Sequence, residues 1–135
     1  MTLTSLYPVL MTDDVAAAGD FFTRHFDFET TFANEWHVSL QRDGFELAVL
    51  QAGHATIPET YPRATTGGLL INLEVEDVDD AYDRLVGREG LTPLRDIRTE
   101  DFGQRHFILA GPEGTLIDVI TPTPPTEEYA ASFVQ

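Results

Sequence analysis

The sequence predicts an α+β fold: tandem βαβββ modules forming a curved eight-stranded mixed sheet around a cleft, with the helices on the outside. Three observations lead there. The chain repeats itself. Asp14-Val15 recurs as Asp77-Val78, Ala18 as Ala81 and Asp20 as Asp83, while Phe22 and Phe28 fall on Leu85 and Leu91. The residues before each Asp also match in kind, with Leu6, Pro8, Leu10 and Thr12 falling on Leu69, Ile71, Leu73 and Val75. Within each copy, one stretch has helical spacing and the others alternate or run apolar. Finally, the turn Arg42-Asp43-Gly44 returns as Gly111-Pro112-Glu113-Gly114, each ahead of an apolar strand. Such a repeat is two copies of one supersecondary unit. A single domain over 1–135 is expected, made of modules 4–51 and 69–121 joined by a linker, 52–68.

Ser5–Met11 alternates and forms the first strand. Asp14 caps a helix over Val15–His25, whose apolar stripe is Val15, Ala18, Phe22 and Phe26. Phe28–Phe32 and Trp36–Arg42 read as strands, and Asp43-Gly44 is a two-residue hairpin signal leading into Glu46–Gln51. The linker carries Pro58, Pro62, Gly67 and Gly68 and has no period. Leu69–Val75 opens the second copy. Asp77 caps a helix with Val78, Ala81, Tyr82, Leu85 and Val86 on one face, and Gly90 stops it. Strands follow over Leu94–Arg98, Arg105–Ala110 and Thr115–Thr121. A short helix near Glu127-Glu128-Tyr129 ends the chain.

Composition excludes several function classes. The 135 residues hold 23 acidic and 8 basic side chains, a net charge of −15, and every basic residue is arginine. That surface repels phosphate backbones, so nucleic acid is not an expected partner, and lysine chemistry is absent. There is no cysteine, hence no disulfide or thiolate metal site. No apolar run is long enough to span a membrane and no leader is visible, so the expected compartment is the cytoplasm. An acidic protein attracts cationic ligands.

Strand parity sorts the candidate binding residues. The all-apolar set Leu69, Ile71, Leu73 and Val75 must pack under a helix, which turns Asn72 and Glu74 toward the cleft. The two-residue hairpin pairs Leu40 with Leu47 and sends His37 and Glu46 to the cleft face. In the last strand Asp118 falls there too. A four-residue turn at 111–114 adds Arg105 and Phe107. Tyr7 lies on the corresponding face of strand one. Trp36 reads equally as an aromatic wall and as packing. Arg105 is either a carboxylate clamp or the ion-pair partner of Asp118 or Glu74. His25 is a helix-end cap, His54 belongs to the linker, and His106 falls on the helix side or at a rim.

The pattern resembles the vicinal oxygen chelate superfamily, which includes glyoxalase I, extradiol dioxygenases, fosfomycin-resistance enzymes and bleomycin-resistance proteins. The resemblance lies in Thr12-Asp13-Asp14-Val15 with Phe21-Phe22, in Val75-Glu76-Asp77-Val78 with Ala81-Tyr82, and above all in Gly111–Val119, which looks like the family's closing hairpin. It implies a divalent metal held by four side chains in the metal-dependent members. The matching positions here are Tyr7, Ala48, Leu70 and Asp118, of which Asp118 alone ligates a hard ion well. The resemblance to bleomycin-resistance proteins then implies a metal-free homodimer with no cofactor that sequesters a cationic, drug-like antibiotic. Glu46, Glu74 and Asp118 would attract the cation. Tyr7, Trp36 and Phe107 would supply apolar contact, and His37, Asn72 and Arg105 complete the expected set. The rival reading is a glyoxalase-like lyase, isomerase or dioxygenase with a divergent divalent-metal site.

Overall fold

A computed structural model describes residues 1–61 and 69–133. Its elements run β1 (Val9–Thr12), α1 (Val15–Phe26), β2 (Glu29–Ala33), β3 (His37–Arg42), β4 (Phe45–Gln51), β5 (Leu70–Glu74) and α2 (Val78–Tyr82). They continue with β6 (Arg95–Glu100), β7 (Gln104–Ala110), β8 (Leu116–Pro122) and α3 (Glu127–Ala130). The eight strands form two four-stranded mixed sheets, ordered β1-β4-β3-β2 and β5-β8-β7-β6. The repeat in the sequence is thus a repeat in topology. In each copy the first strand runs parallel to the last, and the other pairs are antiparallel. Two compact units result: β1–β4 with α1, to which Gly111–Gly114 also belongs, and β5–β8 with α2 and α3. Of the expected linker, the part at 62–68 lies outside the described residues, and the part before it is a series of turns.

The helices begin where the sequence places them. Asp14 Oδ1 accepts from the Ala17 amide at 3.0 Å and Asp77 Oδ1 from the Asp80 amide at 3.1 Å, so both copies use the same cap. In the first unit Val15, Ala18, Phe22 and Phe26 are buried against β3 and β4. Phe22 is wholly inaccessible and meets Phe28 edge-on at 5.9 Å. Burying a side chain of that size contributes about 1.5–3 kcal/mol. Gly19 completes the close approach, since a Cβ there would come within 3.3 Å of Val38. In the second unit α2 is only five residues long, then widens into a π-helical turn over Asp83–Arg88. Val78 and Leu85 carry its buried face.

Turn chemistry fixes the first hairpin. Asp43 and Gly44 both have positive φ, 53° and 83°, the conformation a two-residue hairpin turn needs. The expected pairing Leu40↔Leu47 and Ser39↔Ala48 follows. The second hairpin differs. Ala110 pairs with Leu116, so five residues, not four, close the β7–β8 connection. A tight turn over Pro112–Gly114 occupies the loop, with Glu113 at φ 54°, and Thr115 lies outside the pairing.

That single residue reverses the predicted face of β7. Phe107 pairs with Val119 and Arg105 with Thr121, which puts both on the helix side of their sheet. His106 instead shares the opposite face with Asp118 and Ile120.

Candidate functional site

In the first unit, β3 and β4 position His37, Ser39, Gln41, Glu46, Ala48 and Leu50 on the face opposite α1. Phe32 joins them from β2, as the register partner of Ser39. Trp36 sits in the bend just before β3, where the Asn34 side chain accepts from the amides of Trp36 and His37 at 2.9 and 2.8 Å. The result is an aromatic array. Trp36 stacks on His54 with centroids 4.2 Å apart and planes 22° apart. His37 lies edge-on to both Trp36 and Phe32, and its Nε2 is 2.9 Å from the Ser39 hydroxyl. Trp36 is 42% exposed and Phe32 52% exposed, so two aromatic side chains of this array face solvent. Carboxylates lie along the same face: Glu46 accepts from the Ser5 hydroxyl, and Glu29 accepts from the Gln41 amide at 3.2 Å. Tyr7 precedes β1 and is half exposed.

In the second unit, Asn72 and Asp118 are register partners on β5 and β8, and Glu74 partners Ile120. Beside Asp118 lies a cluster that parity reasoning missed. His106 Nδ1 is 2.8 Å from Asp118 Oδ1, and its Nε2 is 2.8 Å from Glu100 Oε2. Arg98 Nε donates to that same Glu100 oxygen at 2.9 Å. The side chains of His106 and Asp118 are 7% and 6% exposed. Burial opposes the charged imidazole, but the hydrogen bonds to Glu100 and Asp118 outweigh it and move His106 upward from its ordinary value. Burial raises Asp118, against the hydrogen bond from His106. His106 and then Arg98 hold Glu100 below the usual carboxylate range.

The other two sequence-predicted residues are elsewhere. Arg105 forms its ion pair with Asp79 on α2, with Nη2 2.9 Å from Oδ1, and also donates to Thr99. The hydrogen bond to Asp79 raises the Arg105 pKa. Of the two readings of Arg105, the ion pair holds in kind but its partner is Asp79, not Asp118 or Glu74. Phe107 is fully buried and meets Tyr82 of α2 edge-on at 5.2 Å. It is a core residue, not part of a ligand-facing surface. The signal for this lay in β7 itself: Phe107 and Leu109 alternate as Val38 and Leu40 do in β3, which leaves His106 opposite.

The sequence profile of the Glyoxalase/Bleomycin resistance protein/Dioxygenase superfamily matches residues 5–119. The chain belongs to this superfamily. Solved structures of similar fold include a lactoylglutathione lyase from Agrobacterium tumefaciens, 18% identical with a TM-score of 0.69, the match covering 90% of this chain and 96% of that one. A glyoxalase/bleomycin resistance protein/dioxygenase from Nocardioides is 18% identical with a TM-score of 0.73, covering 91% and 86%. A virulence protein from Salmonella typhimurium is 16% identical with a TM-score of 0.72, covering 91% and 100%. At these identities the likeness shows the fold alone. No curated protein matches the sequence.

Membership in the superfamily raises the question of a metal. The positions that the resemblance assigns to ligands hold Tyr7 and Ala48 in the first unit, Leu70 and Asp118 in the second. Ala48 and Leu70 have no donor atom, and the Asp118 carboxylate is already hydrogen-bonded to His106. Among the described residues, no group of three or more His, Asp or Glu side chains is arranged to hold an ion. The residues present do not fit the superfamily's metal. No described helix is long and apolar enough to cross a membrane.

Proposed function

We propose that this superfamily member binds a planar, cationic small molecule without a metal, holding it rather than transforming it. The observation that carries the reading is the solvent-facing aromatic array of Trp36 and Phe32, backed by His37 and His54, on the carboxylate-bearing face of the first unit. Aromatic faces attract cations, at about 0.5–2 kcal/mol per contact, and stacking suits flat rings. A net charge of −15 draws such a ligand in. The absence of donor atoms at Ala48 and Leu70 supports the metal-independent part. Glu46 is the carboxylate proposed to meet the cation in this unit.

Trp36 is the only tryptophan, so its fluorescence reports on the array alone. The test titrates the protein with ethidium, a flat aromatic cation, and with bleomycin, using benzoate as a flat anion. Saturable quenching by a cation that weakens in Glu46→Gln supports the reading. Equal response to the cations and benzoate, or none to any of them, sinks it.

A further inference from the structure

We propose that His54 is a positioning residue of the aromatic array: stacked on one face of Trp36, it fixes the indole so that the rest of the ring can take a flat ligand. The inference rests on the binding reading above and names the residue that prepares its surface.

Local geometry brings the two rings together. His37 pairs with Leu50 across β3 and β4, and the Gln51 amide donates to the Trp36 carbonyl at 2.8 Å. The chain therefore leaves β4 beside Trp36. It then turns at once. The His54 amide donates to the Gln51 carbonyl at 3.1 Å, and Gly53, third of the four residues, has a φ of 76°, which favours glycine. His54 is thereby returned to the tryptophan. Its ring is held by Thr56, whose amide donates to Nδ1 at 3.3 Å and whose hydroxyl lies 2.9 Å from the same nitrogen. The imidazole stacks on the indole with centroids 4.2 Å apart and planes 22° apart.

A solvent-facing indole on a bend keeps rotamer freedom that binding has to remove. Stacking on His54 covers one face, and the edge-on contact with His37 at 5.8 Å holds another part of the ring. Trp36 is still 42% exposed, so the indole stays accessible away from those two contacts. A flat ligand placed there becomes the outer member of a His54–Trp36–ligand stack and meets a ring already ordered. His54 acts through Trp36 and does not need to touch the ligand. Its hydrogen bonds named above all lie within three positions of it, so replacing it should leave the sheet intact.

Two measurements on the whole protein test this. Trp36 is the only tryptophan, so time-resolved fluorescence anisotropy of the free protein follows its ring alone. His54→Ala is expected to add a fast component of ring motion. His54→Phe, which keeps a flat ring, should largely remove it. Equal anisotropy decays in wild type and His54→Ala overturn the proposal. Calorimetry with ethidium then reads the consequence. His54→Ala is expected to bind about fivefold more weakly, the scale of one aromatic pair, at an almost unchanged melting temperature. His54→Phe should recover most of that affinity. Unchanged or tighter binding by His54→Ala overturns the proposal, and so does a loss of affinity and melting temperature together that His54→Phe does not restore. If wild type binds no ethidium, the reading above fails and the anisotropy alone decides whether His54 fixes the ring.

Discussion

Thr12 and Glu113 stand at opposite ends of the sequence, yet the Thr12 hydroxyl donates to Glu113 Oε1 at 2.9 Å, and the Asp13 amide reaches the same oxygen at 3.1 Å. Glu113 holds this position in a left-handed conformation, φ 54°, that a side chain adopts at a cost. The carboxylate therefore ties the turn over Pro112–Gly114 to the start of α1. Replacing it removes two hydrogen bonds to a charged group. Glu113→Ala is expected to lose about 1–3 kcal/mol of stability by urea denaturation, with Glu113→Gln losing less. Equal, negligible losses in both variants would show that the tie contributes nothing.

The two helix caps make a matched pair. Asp14→Ala and Asp77→Ala should each cost about 1 kcal/mol, because each leaves a first-turn amide without its acceptor. The two caps share no partner, so the double variant should lose the sum. Chemical denaturation of the singles and the double reads both points. A cap whose loss leaves the midpoint unchanged is not a cap in solution.

Phe107 and Trp36 should behave oppositely. Phe107 is fully buried against Tyr82, and Phe107→Ala is expected to cost about 3–5 kcal/mol. The gentler Phe107→Leu should lower the melting temperature while leaving ligand affinity intact. Trp36 is 42% exposed, so Trp36→Ala should change stability little and weaken binding of a flat cation, measured by calorimetry. A reversal of those two outcomes would return Phe107 to the ligand-facing set.

The His106 cluster sets a pH dependence whose sign follows from the directions of shift. His106 is raised above its ordinary 6.5, so its contribution is complete below that value and is lost as pH rises through the folded-state pKa. Glu100 is lowered from 4.5, so its contribution is present above that value and is lost as pH falls through the folded-state pKa. Asp118 works the other way: it is raised from 3.8 by burial, so its charged form opposes folding as it ionises. The melting-temperature gap between wild type and His106→Gln should therefore shrink as pH rises above neutrality. A gap that is constant across the whole range would mean that His106 does not carry a charge in the fold.

The C-terminal segment gives a further test, at Gly103. Its φ is 111°, and a Cβ there would lie 2.9 Å from the Thr123 carbonyl oxygen. The chain after β8 lies against that spot, with the Thr123 amide donating to the Gly103 carbonyl at 2.8 Å and Phe102 meeting Tyr129. Gly103→Ala should destabilise the protein and free the segment, read as faster amide exchange at Thr123 and Thr126. Unchanged exchange at both amides would mean that the close approach is not needed.

Much of this protein is determined by its sequence alone, because the forces involved act over a few residues. The aspartate caps, the helical stripe ending at Phe26 and the Asp43-Gly44 turn are local, and each is found where the residues predict it. The repeat then carries topology from one copy to the other, since the same pattern of faces has the same way to bury itself. Strand alternation assigns Asn72, Glu74 and Asp118 to their face, and the two-residue hairpin does the same for His37 and Glu46. Only the tertiary structure decided the register of β7. There the loop that closes the hairpin holds five residues in place of four, with Glu113 left-handed and bonded to Thr12 and Asp13, partners about a hundred positions away. One residue of slip exchanges the faces, so Arg105 turns to Asp79, Phe107 enters the core, and His106 meets Asp118. The His106 cluster joins β6, β7 and β8. No spacing along the chain announces it, because its geometry exists only once three strands lie side by side.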